Sequence, residues 1–160
     1  MTTSYLFVEA PSAPEPVTPA PRYVANDGFC PDMDAAGFEA QYQLDQSYSS
    51  ARREACLVEA MQVVNSELTE PVCAWVKAGY LSLVAVPSAE INGESVVVAS
   101  YRLAVYCKAM QLLTSRYRST DTKDYAVPKA AVYEEAAAYW QGQYLSHLRA
   151  LCNTDFMELI

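Results

Sequence analysis

Six apolar side chains, Leu57, Met61, Val64, Leu68, Val72 and Trp75, follow one another at steps of three or four residues. That spacing returns a side chain to one face of an α-helix, so the segment must be buried along that face. It predicts a helix from Ser49 or Ser50 to Lys77, with Gly79 as a left-handed cap just past its end. Pro71 interrupts the stripe, lacks a backbone donor and frees a carbonyl one turn back, so the helix should kink or break near Leu68.

The same periodicity recurs in Val98, Tyr101, Val105, Ala109 and Leu112, widened by Val97 and Ala104. Arg116, Tyr117 and Arg118 are expected to close this helix, where cations suit its negative end. A further stripe is Tyr133, Ala137, Trp140, Tyr144, Leu148 and Leu151, with Pro128 placed as the first helical residue. A shorter helix of about ten residues should follow Asp34 as N-cap, turning Phe38, Tyr42 and Leu44 inward, although Gly37 is a poor helix former.

These elements predict a mainly α protein, a four-helix bundle with an extended N-terminal arm and a C-terminal tail. The divisions are 1–28 for the arm, 29–152 for the bundle and 153–160 for the apolar tail. Between Pro11 and Pro21 the chain reads PSAPEPVTPAP, five prolines in eleven residues, which favours extended polyproline II. Such an arm is either a leader without a role or a strap that orders on a partner. The stretch YLSLVAVPSAEINGES joins the second and third helices. Asn92 and Gly93 can hold positive φ in a tight turn there, Asn92 or Ser95 can cap the next helix, and Glu94 favours its positive end. The turn should bring the third helix back antiparallel to the second, with Val86 and Ile91 tucked against the bundle end.

A chain of 160 residues can bury roughly 70% of its unfolded surface, so it needs no disulfide staples. The five cysteines, Cys30, Cys56, Cys73, Cys107 and Cys152, form no CxxC pair and read as reduced, mostly buried thiols. No stretch of about 18 uninterrupted apolar residues occurs, and MTTSYLFVEAPS lacks the basic start of a signal peptide, which points to a soluble cytoplasmic product without a membrane span. A formal net charge of -8 argues against sequence-independent DNA binding, where Lys and Arg neutralise phosphates.

The residues for catalysis, cofactor binding or metal binding are not assembled anywhere in the sequence. His147 is the sole histidine and has no ligand-type neighbour one turn away, so it reads as structural or surface-exposed. Glu134 and Glu135 diverge by about 100 degrees on a helix, cannot share a proton, and belong on a solvated face. No phosphate loop, dinucleotide fingerprint, nucleophile elbow or HExxH motif is present. Met61 and Cys107 read as core filler. The twelve tyrosines divide between core positions and contact surfaces. The RYR segment could grip a phosphate or a partner's carboxylate, or simply complement the helix dipole.

Three stretches in a fixed order, FCPDMD, AGYLSLVAVPSAEINGESVVVASYRLAVYCKA and LLTSRYRSTD, resemble the head completion and stabilisation (GpL) family of temperate contractile-tailed phages. The matching positions are Phe29, Pro31 and Asp32, then Ala78 to Tyr80, then Ile91, Asn92, Gly93, Glu94 and Ser95, then Arg116, Tyr117 and Arg118. The proline-rich arm has no counterpart in that pattern, and Pro71 interrupts a helix that would otherwise run through.

The resemblance implies a virion protein at the head-tail junction, made in the host cytoplasm. It would be a connector of the adaptor type that binds the portal protein after DNA packaging as a ring with neighbouring copies of itself, commonly a dodecamer. The ring would stabilise the filled head and offer a surface to a neck or tail-completion protein, while packaged DNA passes through without specific binding. No enzyme activity and no cofactor are implied. Phe156, Met157, Leu159 and Ile160 of the tail are then candidate partner-binding residues, together with Arg116, Tyr117 and Arg118. The turn residues Ile91 to Ser95 would be structural. A reading from another class is a small DNA-interacting packaging factor or helical regulator, which the acidic balance disfavours. A generic host-interaction module has no specific feature in its support.

Overall fold

The structure, a computed structural model, describes residues 20–44, 48–121 and 128–153, with side chains omitted for 117–121 and 128–130. The protein is mainly helical. In chain order the elements are β1 (Tyr23–Val24), β2 (Met33–Asp34), α1 (Ala35–Gln41), α2 (Ser50–Glu67), α3 (Thr69–Lys77), β3 (Glu90–Ile91), β4 (Glu94–Ser95), α4 (Val96–Asp121) and α5 (Pro128–Cys152). A 3-10 turn, Leu83–Ala85, lies in the linker between α3 and the hairpin.

The expected second helix is divided at Leu68, whose ψ of 7° leaves the helical range. The expected break is therefore present, and Pro71 occupies the third position of α3, inside the first turn where its missing N–H costs nothing. Leu57, Met61, Val64, Leu68 and Trp75 are buried as the stripe required, and Val72 is half-buried. At the end of α3, Tyr80 N–H bonds Trp75 O at 3.1 Å and Gly79 N–H bonds Val76 O at 3.0 Å. Gly79 has φ 95°, so the glycine takes the left-handed position and satisfies two orphan carbonyls.

Helix α4 lies between α2 and α5. Tyr101 meets Asn65 while Arg116 meets Cys56 and Glu59, so α4 runs antiparallel to α2 as expected. Lys108 sits over the Tyr144 ring, and Cys152 at the end of α5 feels Glu67 at the end of α2, so α5 returns antiparallel to α4. Val97, Tyr101, Ala104, Val105, Ala109 and Leu113 of α4 are buried between these neighbours. This explains why Val96–Arg116 is apolar enough in length and composition to cross a membrane, yet serves here as a central core helix with half of it buried. The helix does not close at Arg118 as expected but continues to Asp121.

Helix α1 has seven residues. Asp34 caps it, accepting from Ala36 N–H at 3.0 Å. Gly37 has a specific reason to be there: a Cβ would come within 2.8 Å of the Asp34 carboxylate. The residue that weakens α1 by propensity makes room for its cap. Phe38 is fully buried, and Tyr42 and Leu44 are partly so.

The hairpin before α4 is a two-residue turn with Asn92 at φ 54° and Gly93 at φ 75°. Both residues of such a turn need the left-handed region, which Asn and Gly tolerate. β3 and β4 pair antiparallel with Ile91 opposite Glu94. Ser95 Oγ accepts from Val98 N–H at 3.5 Å, and Glu94 reaches two turns along α4 to hold Arg102 with both oxygens, one contact at 2.9 Å. Val86 is buried as expected. Ile91 is not: it is 71% exposed, because its place in the hairpin turns it to solvent instead of the bundle end.

Residues 22–28, assigned to the arm by composition, are bonded into the body. β1 pairs antiparallel with β2, and Ala35 N–H bonds Arg22 O at 2.8 Å. Residues 1–19 lie outside the described residues, as does the tail from 154 to 160.

Candidate interaction surfaces

The Phe29, Pro31 and Asp32 motif forms a fastening. Asp32 accepts from Asn26 N–H at 2.9 Å, and Asp27 accepts from Phe29 and Cys30 N–H at 3.0 and 2.8 Å. The Phe29 ring stacks on Trp75 with centroids 6.2 Å apart, and Phe29 O accepts from Leu83 N–H. Beneath this loop three side chains close a hydrogen-bond cycle. Tyr101 OH donates to Asn65 Oδ1 at 2.6 Å, Asn65 Nδ2 donates to Asn26 Oδ1 at 2.8 Å, and Asn26 Nδ2 donates to Tyr101 OH at 2.8 Å. Each polar group has a partner, so burial costs little. Burial pushes the Tyr101 hydroxyl well above its ordinary range and the adjacent Cys30 thiol up to about 12, so both stay protonated and neutral near pH 7. The knot is structural, with no nucleophile poised in it.

Of the residues singled out from the RYR motif, Arg116 is described in full. It forms an ion pair with Glu59 and approaches Cys56 Sγ at 3.6 Å, so its guanidinium is engaged within its own chain. The Glu59 carboxylate raises the Arg116 pKa further. For Tyr117 and Arg118 only the helical backbone is described. Phe156, Met157, Leu159 and Ile160 fall outside the described residues. The turn Ile91 to Ser95 sets the start of α4.

Two surfaces among the described residues were not revealed by periodicity. One is the exit of α3 and the linker after it, where Val76, Leu81 and Val84 are exposed, Leu81 to 88%. It follows from the capped exit of α3, since the bond from Leu83 N–H to Phe29 O draws Leu83 inward and leaves its neighbours outside. The other is a cleft of about 350 Å³ between the β1–β2 ladder, α1 and α4. Tyr23, Pro31, Met33, Val98 and Tyr106 supply its apolar lining; Gln41 and Arg102 supply donors, and Asp32 and Asp34 contribute carboxylates.

His147 is half-buried and burial lowers its pKa, while Glu134 and Glu135 are exposed as read from their spacing. Met61 and Cys107 are buried core residues. All five cysteines are free thiols; Cys30, Cys56 and Cys107 are buried, and Cys73 and Cys152 exposed. Among the described residues no group of three or more His, Cys, Asp or Glu side chains could hold a metal ion.

Residues 24–158 match the phage head completion protein (GPL) family. A head completion/stabilization protein of Escherichia phage P2 is 32% identical over 116 residues, which cover 72% of this chain and 65% of that protein. No solved structure matches the chain. The family match begins at Val24, inside the first strand, and leaves the proline-rich arm outside it. With most of its length covered, the chain belongs to the phage head completion protein (GPL) family.

Proposed function

We propose that this protein completes and stabilises the phage head as a connector between head and tail. The observation that carries this reading is the family match over residues 24–158, which includes both the Asn26 knot and the Asn92–Gly93 hairpin. In this reading α2 and α3 count as one broken helix which, beside α1, α4 and α5, would make the four helices of an adaptor-type bundle. Its work is shape and not catalysis. A ring of copies docks on the portal after DNA packaging and presents the next surface to a neck or tail-completion protein. Weak contacts between neighbours gain from closure of such a ring. The exposed apolar side chains Val76, Leu81 and Val84, close in sequence at the exit of α3, support a docking role, because such side chains gain by being covered.

The tail from Asn153 to Ile160 is the second contact in this reading, its Phe156, Met157, Leu159 and Ile160 seating on the portal or an adjacent subunit. Deleting residues 153–160 should leave helical circular dichroism unchanged and abolish incorporation into heads; undiminished incorporation would remove the tail from the mechanism. The charge of -8 serves the same end if acidic side chains face the channel and repel passing DNA. A channel lined by Arg116 and Arg118 in the assembled ring would contradict that. The competing reading, a DNA-interacting packaging factor, predicts a salt-sensitive shift in a gel titration with duplex DNA, where a connector of this charge gives none.

A further inference from the structure

The cleft beside Tyr23 lies at the root of the proline-rich arm. Its lining combines exposed Tyr23, half-buried Pro31 and Val98, and buried Met33 and Tyr106. Its rim carries the exposed Gln41 amide and the Arg102 guanidinium, which Glu94 holds in place. An aromatic and apolar trough with donors at its edge is the chemistry that recognises polyproline II. Proline rings pack on aromatic faces, and the backbone offers carbonyls but few N–H groups, so the receptor must donate. The size, about 350 Å³, takes one three-residue turn of such a helix.

The chain itself contains the matching ligand. PSAPEPVTPAP ends at Pro21, one residue before Arg22, whose backbone is fixed by bonds from Arg22 N–H to Asp34 Oδ1 and from Ala35 N–H to Arg22 O. Only Arg22 separates those prolines from Tyr23, which lines the cleft. Folding back into its own cleft would require a reversal within VTPAPR, where proline fixes φ and stiffens the chain. Eleven residues in the polyproline II form that this composition favours would span roughly 34 Å at about 3.1 Å per residue.

We propose that the proline-rich segment Pro11–Pro21 of one copy docks in the Tyr23–Val98–Tyr106 cleft of a second copy, as a strap between subunits. The strap deepens the ring reading by naming one contact between neighbours. It rests on that reading only in requiring that copies meet.

The test uses the full chain with a photo-crosslinking amino acid in place of the exposed Gln41, prepared as two isotopically distinct populations, mixed, illuminated and mapped by mass spectrometry. The strap predicts cross-links from position 41 to residues 11–21 carrying the other label. Replacing Pro11, Pro14, Pro16, Pro19 and Pro21 by serine alters none of the described core contacts. It should lower that cross-link roughly tenfold, equivalent to about 1.4 kcal/mol. Cross-links to residues 11–21 of the same label only, or none to that segment, overturn the proposal, as does a yield unchanged by the serine substitutions. Mixed-label cross-links elsewhere, without any to the arm, would leave self-association standing and remove the strap.

Discussion

The segment from Arg22 to Asp34 is fastened to the helices in two places by opposite means. On one side the Asn26, Asn65 and Tyr101 cycle joins it to α2 and α4 by neutral hydrogen bonds beneath the Phe29–Trp75 stack. On the other side charges do the joining: Arg22 meets Glu39 at 2.6 Å and Glu54 at 3.7 Å, and Arg53 meets Glu39 at 3.2 Å. The Arg22 side chain is 42% exposed, so water and salt screen its attraction, whereas the cycle has no charge to screen. The difference teaches where rigidity comes from. The neutral knot anchors the loop to α2 and α4, and the ion pairs add a screened hold at the root of the arm, whose backbone the β1–β2 ladder already fixes.

The largest effect should follow from breaking the cycle. Asn65→Leu strands Tyr101 OH without its acceptor, at about 1–3 kcal/mol, and takes from Asn26 Oδ1 one of its two donors, leaving it the Asp27 N–H; the loss is read by urea denaturation. Tyr101→Phe should cost a similar amount, and the two together less than their sum, by a coupling of about 0.5–3 kcal/mol in a double-mutant cycle. Simple additivity would mean that the three groups do not act as a unit.

Alkali should act on the same side next. The Cys30 thiol is raised from 9.0 to about 12 by burial, with the nearby Asp27 charge adding to it, and the Tyr101 hydroxyl is raised from 10.0 chiefly by burial. A raised folded pKa contributes stability that is complete below the unfolded value and is lost as pH rises towards the folded one. Stability should therefore hold to about pH 9 and fall between pH 9 and 12, with no matching loss from this group in mild acid. Cys30→Ala should make that fall shallower without moving its onset, because burial also raises the Cys56 and Cys107 thiols above 9.0.

On the charged side the effects should be smaller and salt-dependent. Arg22→Ala is expected to cost no more than about 1 kcal/mol at low ionic strength and less at high salt. Smallest of all is Gly37→Ala. A gain of about 1 kcal/mol in helix propensity is offset by loss of the Asp34 cap, also about 1 kcal/mol, leaving a net change near zero. A clear stabilisation would show that the Asp34 carboxylate moves aside without losing its bond to Ala36.

What was legible in the sequence follows the same division between periodic and non-periodic signals. The break at Leu68 could be read because Pro71 acts locally, and the left-handed turn at Asn92 and Gly93 because two residue types suffice to make it. The face of α2 followed from apolar spacing, and that of α4 in its middle at Tyr101, Val105 and Ala109, whereas Val98 and Leu112 are only half-buried and Leu113 takes the core position. The knot could not be read. Asn26, Asn65 and Tyr101 lie 39 and 36 residues apart, and an isolated asparagine in a helix carries no mark of a distant partner. Ile91 was misplaced because an apolar residue near a helix start looks like a staple, whereas the hairpin's register turns it outward. The cleft was invisible for a third reason. Its walls come from one strand ladder and two helices that only tertiary structure brings together.

Locating this chain in purified phage particles by electron cryomicroscopy tests the central claim most directly. Density for its helical body at the single vertex where head meets tail is the predicted result. Complete, DNA-filled, tailed particles that contain no copy of it would contradict the account.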